Sequence, residues 1–233
     1  MIAVPTRCID CAVRDVALCA SMSDDELRAL SDMGRRRVLP AGQVVSWAGE
    51  PSSSCASVVS GALKATASTA DGREQIVGLL FPGDFVGQPF QDDASLTVTT
   101  LVATDLCIYP RAGFEHVVDD HPRMERLLLE RTLASLSQAR GRMLSLARRS
   151  AKERVAGFLL ELADHTGESG PDGIRVRIPI SRGDLADYLG LTIETVSRQL
   201  TLLKASGVLG VARGGRDCTI RDRARLEGVA GPQ

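Results

Sequence analysis

The chain contains six cysteines, and three of them, Cys8, Cys11 and Cys19, fall within its first nineteen residues. The spacing Cys8-x2-Cys11-x7-Cys19 places three soft sulfur donors on one short segment. A fourth thiolate from elsewhere would complete the four-sulfur set that iron–sulfur clusters use. The same set also suits tetrahedral zinc, and clustered thiols can equally serve as a thiol–disulfide switch. Cys107 is the candidate fourth ligand. It lies on a predicted strand in which Val102, Thr104, Leu106 and Ile108 share one face, leaving Cys107 on the opposite, more mixed face with Ala103 and Asp105. Cys55, after Ser52-Ser53-Ser54 in an expected polar loop, and Cys218, far along the chain, are read as structural or incidental.

A second set of residues could read nucleic acid. Ser181-Arg182-Gly183-Asp184 has the shape of a helix N-cap, and the helix it opens buries Leu185, Ala186 and Leu189 before Gly190 ends it. Thr192 then caps a second helix with Val196, Leu200 and Leu203 on its buried stripe. Two helices joined by a tight glycine turn form a helix-turn-helix, whose second helix enters the major groove. Glu194, Ser197 and Arg198 lie at i, i+3 and i+4 and so share one side of that helix. Arginine can bind guanine O6 and N7, glutamate can accept from cytosine N4, and serine serves either. Beyond it, residues 208–212 and 217–220 flank Gly214-Gly215 as a hairpin wing whose arginines can meet phosphates. Ser181, Arg182, Thr192, Arg213 and Arg216 complete the candidate DNA contacts.

The elements that must position these groups follow from pattern. Ser23-Asp24-Asp25-Glu26 ahead of Leu27 and Leu30 predicts a short capped helix. Residues 43–47, 56–59, 62–67, 75–81, 97–102 and 106–109 read as short strands separated by Pro- and Gly-containing turns, which predicts an antiparallel sandwich, roll or barrel. From 123 to 149 there is no proline and one glycine, Gly141, which predicts a helix of roughly 40 Å at about 1.5 Å per residue. Leu129, Leu133, Leu136, Met143 and Ala147 fall at coiled-coil spacing, with Arg140 in the skipped position. A two-fold homodimer seam would set Arg140 opposite its own copy and weaken association, leaving it poised for a switch; a helix packed on its own sheet is the alternative. A helix over 151–165, a loop over 167–173 and a strand over 174–178 lead into the reading segment.

Of the 233 residues, 24% are charged and 44% hydrophobic, and the formal net charge is −1, an ordinary globular composition that excludes disorder, collagen and a coiled-coil rod. Up to Arg140 there are 13 basic and 18 acidic residues; residues 141–226 carry 15 basic and 10 acidic. A near-neutral total therefore hides a basic C-terminal part, as expected of a nucleic-acid module joined to something else. No apolar run is long enough to span a bilayer, and the start of the chain lacks a signal-peptide core, so the expected compartment is the cytoplasm, with no membrane partner. Disulfides are rare there, which returns the cysteines to metal or redox chemistry. An enzyme finds no support: His116, His121 and His165 are unpaired with a nucleophile motif, and no phosphate-binding glycine loop is present.

The order of roll, long helix, helix-turn-helix and wing resembles the superfamily of the cyclic AMP receptor protein and the fumarate-nitrate reduction regulator (CRP/FNR). The resemblance is carried by Leu39-Pro40-Ala41-Gly42, Val59-Ser60-Gly61, Pro82-Gly83-Asp84-Phe85-Val86-Gly87 and residues 190–198, Gly-Leu-Thr-Ile-Glu-Thr-Val-Ser-Arg. It implies an α+β protein in four parts: a cysteine-rich cluster-binding segment (1–22), a β-roll sensory domain (23–121), a dimerisation helix (122–149) and a winged helix-turn-helix DNA-binding domain (150–233). The last motif is similar to the oxygen-responsive branch, whose half-site is TTGAT, and implies base contacts by Glu194, Ser197 and Arg198. That branch places a single cysteine on the strand of Cys107, which implies a 4Fe-4S cluster on Cys8, Cys11, Cys19 and Cys107. Double-stranded DNA, a second copy and RNA polymerase are the implied partners, the last through 71–74 and 111–120. A cyclic nucleotide needs a cation for its phosphate, yet 84–110 contains no Lys or Arg, and Thr97 stands where the resemblance implies the phosphate arginine. A haem-based nitric-oxide sensor is the nearest rival within the superfamily.

Overall fold

The computed structural model describes residues 6–211 and 216–231. Contacts divide the chain into two units, 1–136 and 137–233, and the division falls inside the longest helix. The first unit opens with α1 (Thr6–Ile9), a 3-10 turn (Leu18–Ser21) and α2 (Asp24–Met33). Ser23 caps α2 as expected: its hydroxyl accepts from the Glu26 N–H while the Glu26 carboxylate accepts from the Ser23 N–H.

Eight strands follow: β1 (Arg35–Leu39), β2 (Val44–Ser46), β3 (Ser54–Ser60), β4 (Leu63–Ser68), β5 (Glu74–Leu80), β6 (Phe85–Val86), β7 (Thr97–Thr100) and β8 (Thr104–Pro110). They form two antiparallel four-stranded sheets, ordered β1-β8-β3-β6 and β2-β7-β4-β5. Val58, Leu63, Val98 and Leu106 fill the core of the roll. β1 escapes the sequence pattern because three arginines precede its apolar residues; they lie exposed on an edge strand, where charge is tolerated. Cys55, expected in a loop, is instead buried within β3 opposite Tyr109.

β8 runs into α3 (Arg111–Asp120), which the strand and helix patterns did not reveal, and Pro122 opens the 27-residue helix α4 (Pro122–Arg148). A second core joins the start of the chain to these helices: Leu18, Leu30, Tyr109, Phe114, Val118 and Met124 are buried together, with Leu127 and Leu128 packed against them. From Leu129 to Gly141 every residue of α4 is exposed. The expected alternative, a helix packed along its own sheet, is not what the first unit shows.

The second unit contains α5 (Ala151–Thr166), β9 (Glu168–Gly170), β10 (Gly173–Arg177), α6 (Arg182–Leu189), α7 (Ile193–Ala205), β11 (Leu209–Val211), β12 (Asp217–Ile220) and α8 (Arg223–Ala230). Its sheet has the order β11-β12-β10-β9. The segment expected as a loop after α5 thus contributes the short strand β9, paired to β10 across a tight turn. Gly190 takes φ +60 between α6 and α7, the left-handed conformation that ends a helix most cheaply at glycine. Among the described residues no helix is long and apolar enough to cross a membrane.

Leu18 anchors the start of the chain in the second core at 4% exposure. Leu18→Ala is expected to cost about 2–5 kcal/mol of the first unit's stability, measured as a lowered urea midpoint for the first unit's transition.

Candidate thiol site and nucleic-acid interface

Four of the six cysteines line one cavity. Cys8 is carried by α1, Cys11 follows it, Cys19 sits in the 3-10 turn and Cys107 projects from β8; all four border it together with Arg7, Arg36, Tyr109 and a wall of apolar side chains. The seven residues between Cys11 and Cys19 fold back on themselves, with the Ala17 N–H donating to the Val13 carbonyl at 2.8 Å. Val13 and Ala17 bury against Val59 of β3, and Cys11, Cys19 and Cys107 pack against that cluster. On the far side, Val16 approaches Gly83 so closely that a Cβ there would stand 3.0 Å from a Val16 methyl. Glycine at 83, which also takes φ +97, lets the chain start lie on the roll.

All four are free thiols and partly buried. Burial, reinforced by Cys11, pushes the Cys19 thiol up to about 11. Burial raises Cys107 as well, opposed by a hydrogen bond with the Tyr109 hydroxyl. The donor set therefore fits a soft metal centre: four sulfurs from three places in the sequence, a hydroxyl bonded to one of them, and the Arg36 guanidinium close enough to feel Cys11 and Cys107. Among the described residues no three His, Cys, Asp or Glu side chains converge at the spacing of a single-ion site. None of the three histidines lines the cavity. Cys55 and Cys218 are buried elsewhere, with thiols raised by burial to about 12 and about 11.

Sequence reasoning missed Arg131. Its guanidinium, on α4, donates to the carbonyls of Val16 and Ala17, the latter at 3.4 Å, immediately before the turn that carries Cys19. An arginine on a polar helix face carries no local mark of a partner 115 residues away. Arg36 was hidden in the same way; it pairs with Asp105 at 2.8 Å across β1 and β8.

In the second unit α6 and α7 stand as expected, with Leu185, Leu189, Val196 and Leu203 buried and Glu194, Ser197 and Arg198 exposed along α7. Hydrogen bonds from its own backbone N–H and from Thr192 hold the Glu194 carboxyl below the usual range, so it is an acceptor at neutral pH. The Thr192 hydroxyl is occupied as the α7 cap, accepting from the Thr195 N–H, and Ser181 caps α6 through Asp184. Arg182 is half-buried beside Cys218 and Arg216, and burial lowers its guanidinium; Arg216 is exposed. Arg213 and the Gly214-Gly215 turn lie outside the described residues. The expected seam on α4 is solvated: Leu129, Leu133, Leu136 and Met143 are 57, 55, 44 and 68% exposed, and Arg140 and Ala147 are exposed with them. Thr97 lies in β7 with its hydroxyl accepting from the Ala48 N–H at 3.1 Å.

Comparison with known proteins covers both units. A family of Crp-like helix-turn-helix domains matches residues 153–229, and a family of cyclic nucleotide-binding domains matches 36–121. The chain is 40% identical to the transcriptional activator protein FnrL of Cereibacter sphaeroides, over 98% of this chain and 94% of that protein. It is 37% identical to the nitrogen fixation regulation protein FixK of Bradyrhizobium diazoefficiens, over 96% and 93% of the two chains. The solved structure of FixK2 from Bradyrhizobium japonicum superposes with a TM-score of 0.79 at 32% identity, covering 86% of this chain and 98% of that one.

Burial predicts that the Cys55 and Cys218 thiols are inert. Mass-spectrometric mapping of metal-free protein treated with iodoacetamide at pH 7.5 should find both unmodified; rapid alkylation of either contradicts the burial described.

Proposed function

The chain belongs to the CRP/FNR family of DNA-binding transcriptional activators, and from that premise we propose that it responds to oxygen. In this reading Cys8, Cys11, Cys19 and Cys107 hold a 4Fe-4S cluster, α4 pairs with its copy, and two α7 helices read a palindrome of TTGAT-type half-sites. The observation that carries the proposal is the meeting of four thiols, three from the chain start and one from β8, in one apolar cavity. When bound, the cluster supplies the bonds that tie the chain start to β8 and a redox chemistry that oxygen can reach.

The chain's own residues convert that tie into an effect on α4. With the cysteines held, Leu18 stays in the second core beside Met124, and the carbonyls of Val16 and Ala17 stay under Arg131. Both contacts brace the start of the helix whose next turns are the exposed leucines. Fully burying a leucine contributes about 1.5–3 kcal/mol relative to leaving it in water, so the stripe favours a second copy strongly. Arg140 opposes that pairing through like charge, which leaves the dimer dependent on the bracing. A dimer sets two α7 helices about 34 Å apart, one turn of DNA; a monomer engages a single half-site. RNA polymerase contact is proposed through 71–74 and α3. A bound cyclic nucleotide does not fit: 84–110 offers no cation for its phosphate.

Protein purified without oxygen is expected to be brown, with about four iron and four labile sulfide per chain; a colourless protein with stoichiometric zinc contradicts the cluster. Arg131→Ala is expected to weaken dimerisation of anaerobic protein by about 1 kcal/mol in sedimentation, the worth of a typical intramolecular hydrogen bond; an unchanged constant removes Arg131 from the coupling. Arg198→Ala should cost about 1–3 kcal/mol in affinity and relax preference at one guanine. Equal loss on every sequence would make it a phosphate contact.

A further inference from the structure

One guanidinium closes the C-terminal ends of two helices at once. The last carbonyls of a helix have no partner inside it and carry the negative end of its dipole. At the end of α4 the Leu146 carbonyl accepts from Arg154 Nη2 at 2.9 Å, and the next chain carbonyl past the helix, Arg149, accepts from Nε at 2.9 Å. At the end of α6 the carbonyls of Leu189 and Gly190 accept from Nη1 at 3.0 and 3.3 Å. Arg154 itself stands in the first turn of α5, whose Ser150–Glu153 capping box fixes where that turn begins. Three helices therefore share one cation, and only a forked, planar donor set reaches all four oxygens.

A second strap lies farther back along α4. Arg142 pairs with Glu161 of α5 at 3.0 Å, its guanidinium carbon lies 5.0 Å from the ring centre of Tyr188 on α6, and the Tyr188 hydroxyl lies 3.3 Å from the same carboxylate. Gly190 completes the approach: a Cβ there would stand 3.1 Å from a Leu146 methyl. The turn that Arg154 grips, 189–192, leads directly into α7 and its exposed Glu194, Ser197 and Arg198.

We propose that Arg154, with Arg142 as second anchor, is a positioning residue that makes the last turns of α4 and the helix-turn-helix one rigid body, so that pairing of α4 dictates the spacing of the two α7 helices. The inference rests on the dimeric, palindrome-reading function proposed above. It assigns Arg154 no contact with DNA.

The test uses full-length anaerobic protein and its Arg154→Ala and Arg154→Lys variants. Fluorescence anisotropy compares a palindromic duplex, the same palindrome with one or two base pairs added between half-sites, and a single half-site duplex. Both variants are expected to lose about 10-fold or more on the natural palindrome, because the second engagement is no longer pre-aligned. They should also lose the preference for natural spacing, keep half-site affinity and keep the dimer fraction in sedimentation. Equal loss on half-site and palindrome overturns the proposal, since Arg154 would then only support the fold of the reading helices; so does an unchanged spacing preference. Amide hydrogen exchange gives a readout independent of dimerisation: peptides spanning 143–150 and 187–193 should both exchange faster in Arg154→Ala, and acceleration in only one of them overturns the clamp. A wild-type protein indifferent to half-site spacing would instead count against the dimer reading, with the exchange data still deciding the clamp.

Discussion

A thiolate needs solvent or a cation, and the cavity between the chain start and β8 offers Cys19 and Cys107 little of the first. Cys19 and Cys107 are raised by burial in a cavity walled by Val13, Ala17, Leu27, Leu30 and Val59, with Arg7 and Arg36 as the cations that border it. Metal binding removes that penalty, because deprotonation then creates ligand bonds instead of bare charge. In the proposed reading the conformation of the chain start is thereby linked to the state of its thiols. The apolar residues beside the cysteines hold the segment in place, and the cysteines make that hold conditional in the proposed reading.

In the proposed reading that condition reaches the rest of the molecule through guanidinium–carbonyl contacts. Arg131 joins α4 to the backbone before Cys19, and Arg154 joins the end of α4 to the turn before α7. Both use backbone oxygens as acceptors. Such contacts depend on where the chain runs more than on which side chains it carries, so they report displacement of a segment directly. An arginine fork suits this because its donors are fixed relative to one another and lose little freedom on bonding.

Between these contacts runs a helix that one chain leaves in water. Exposed leucines on α4 are unfavourable in water; in the proposed reading they supply the drive for pairing, and Arg140 within the same stripe limits it. The basic excess lies beyond Arg140, in the unit that carries α7, and the acidic excess lies in the unit that carries the thiols. That division favours phosphates at the end that carries the helix-turn-helix and disfavours them at the end that carries the thiols.

Much of this was legible in the residues alone, because it depends on local rules. Capping residues marked α2, α6 and α7, glycine marked the turn at 190, and the periodicity of Leu185, Leu189, Val196 and Leu200 separated the buried from the exposed face of the reading helices. Alternation along β8 set Cys107 apart from Leu106. The arginine-rich β1, the short β6 and β9, and α3 lacked such marks, since charge or brevity hides period when an edge or a neighbouring element supplies the stability. What only the tertiary structure decided are the encounters between distant segments: that the cysteines share a cavity, that Arg131 meets Val16 and Ala17, and that Arg154 closes two helix ends. Sequence spacing encodes the direction of a side chain along its own element, whereas these contacts are set by how separate elements pack, and no local period records that.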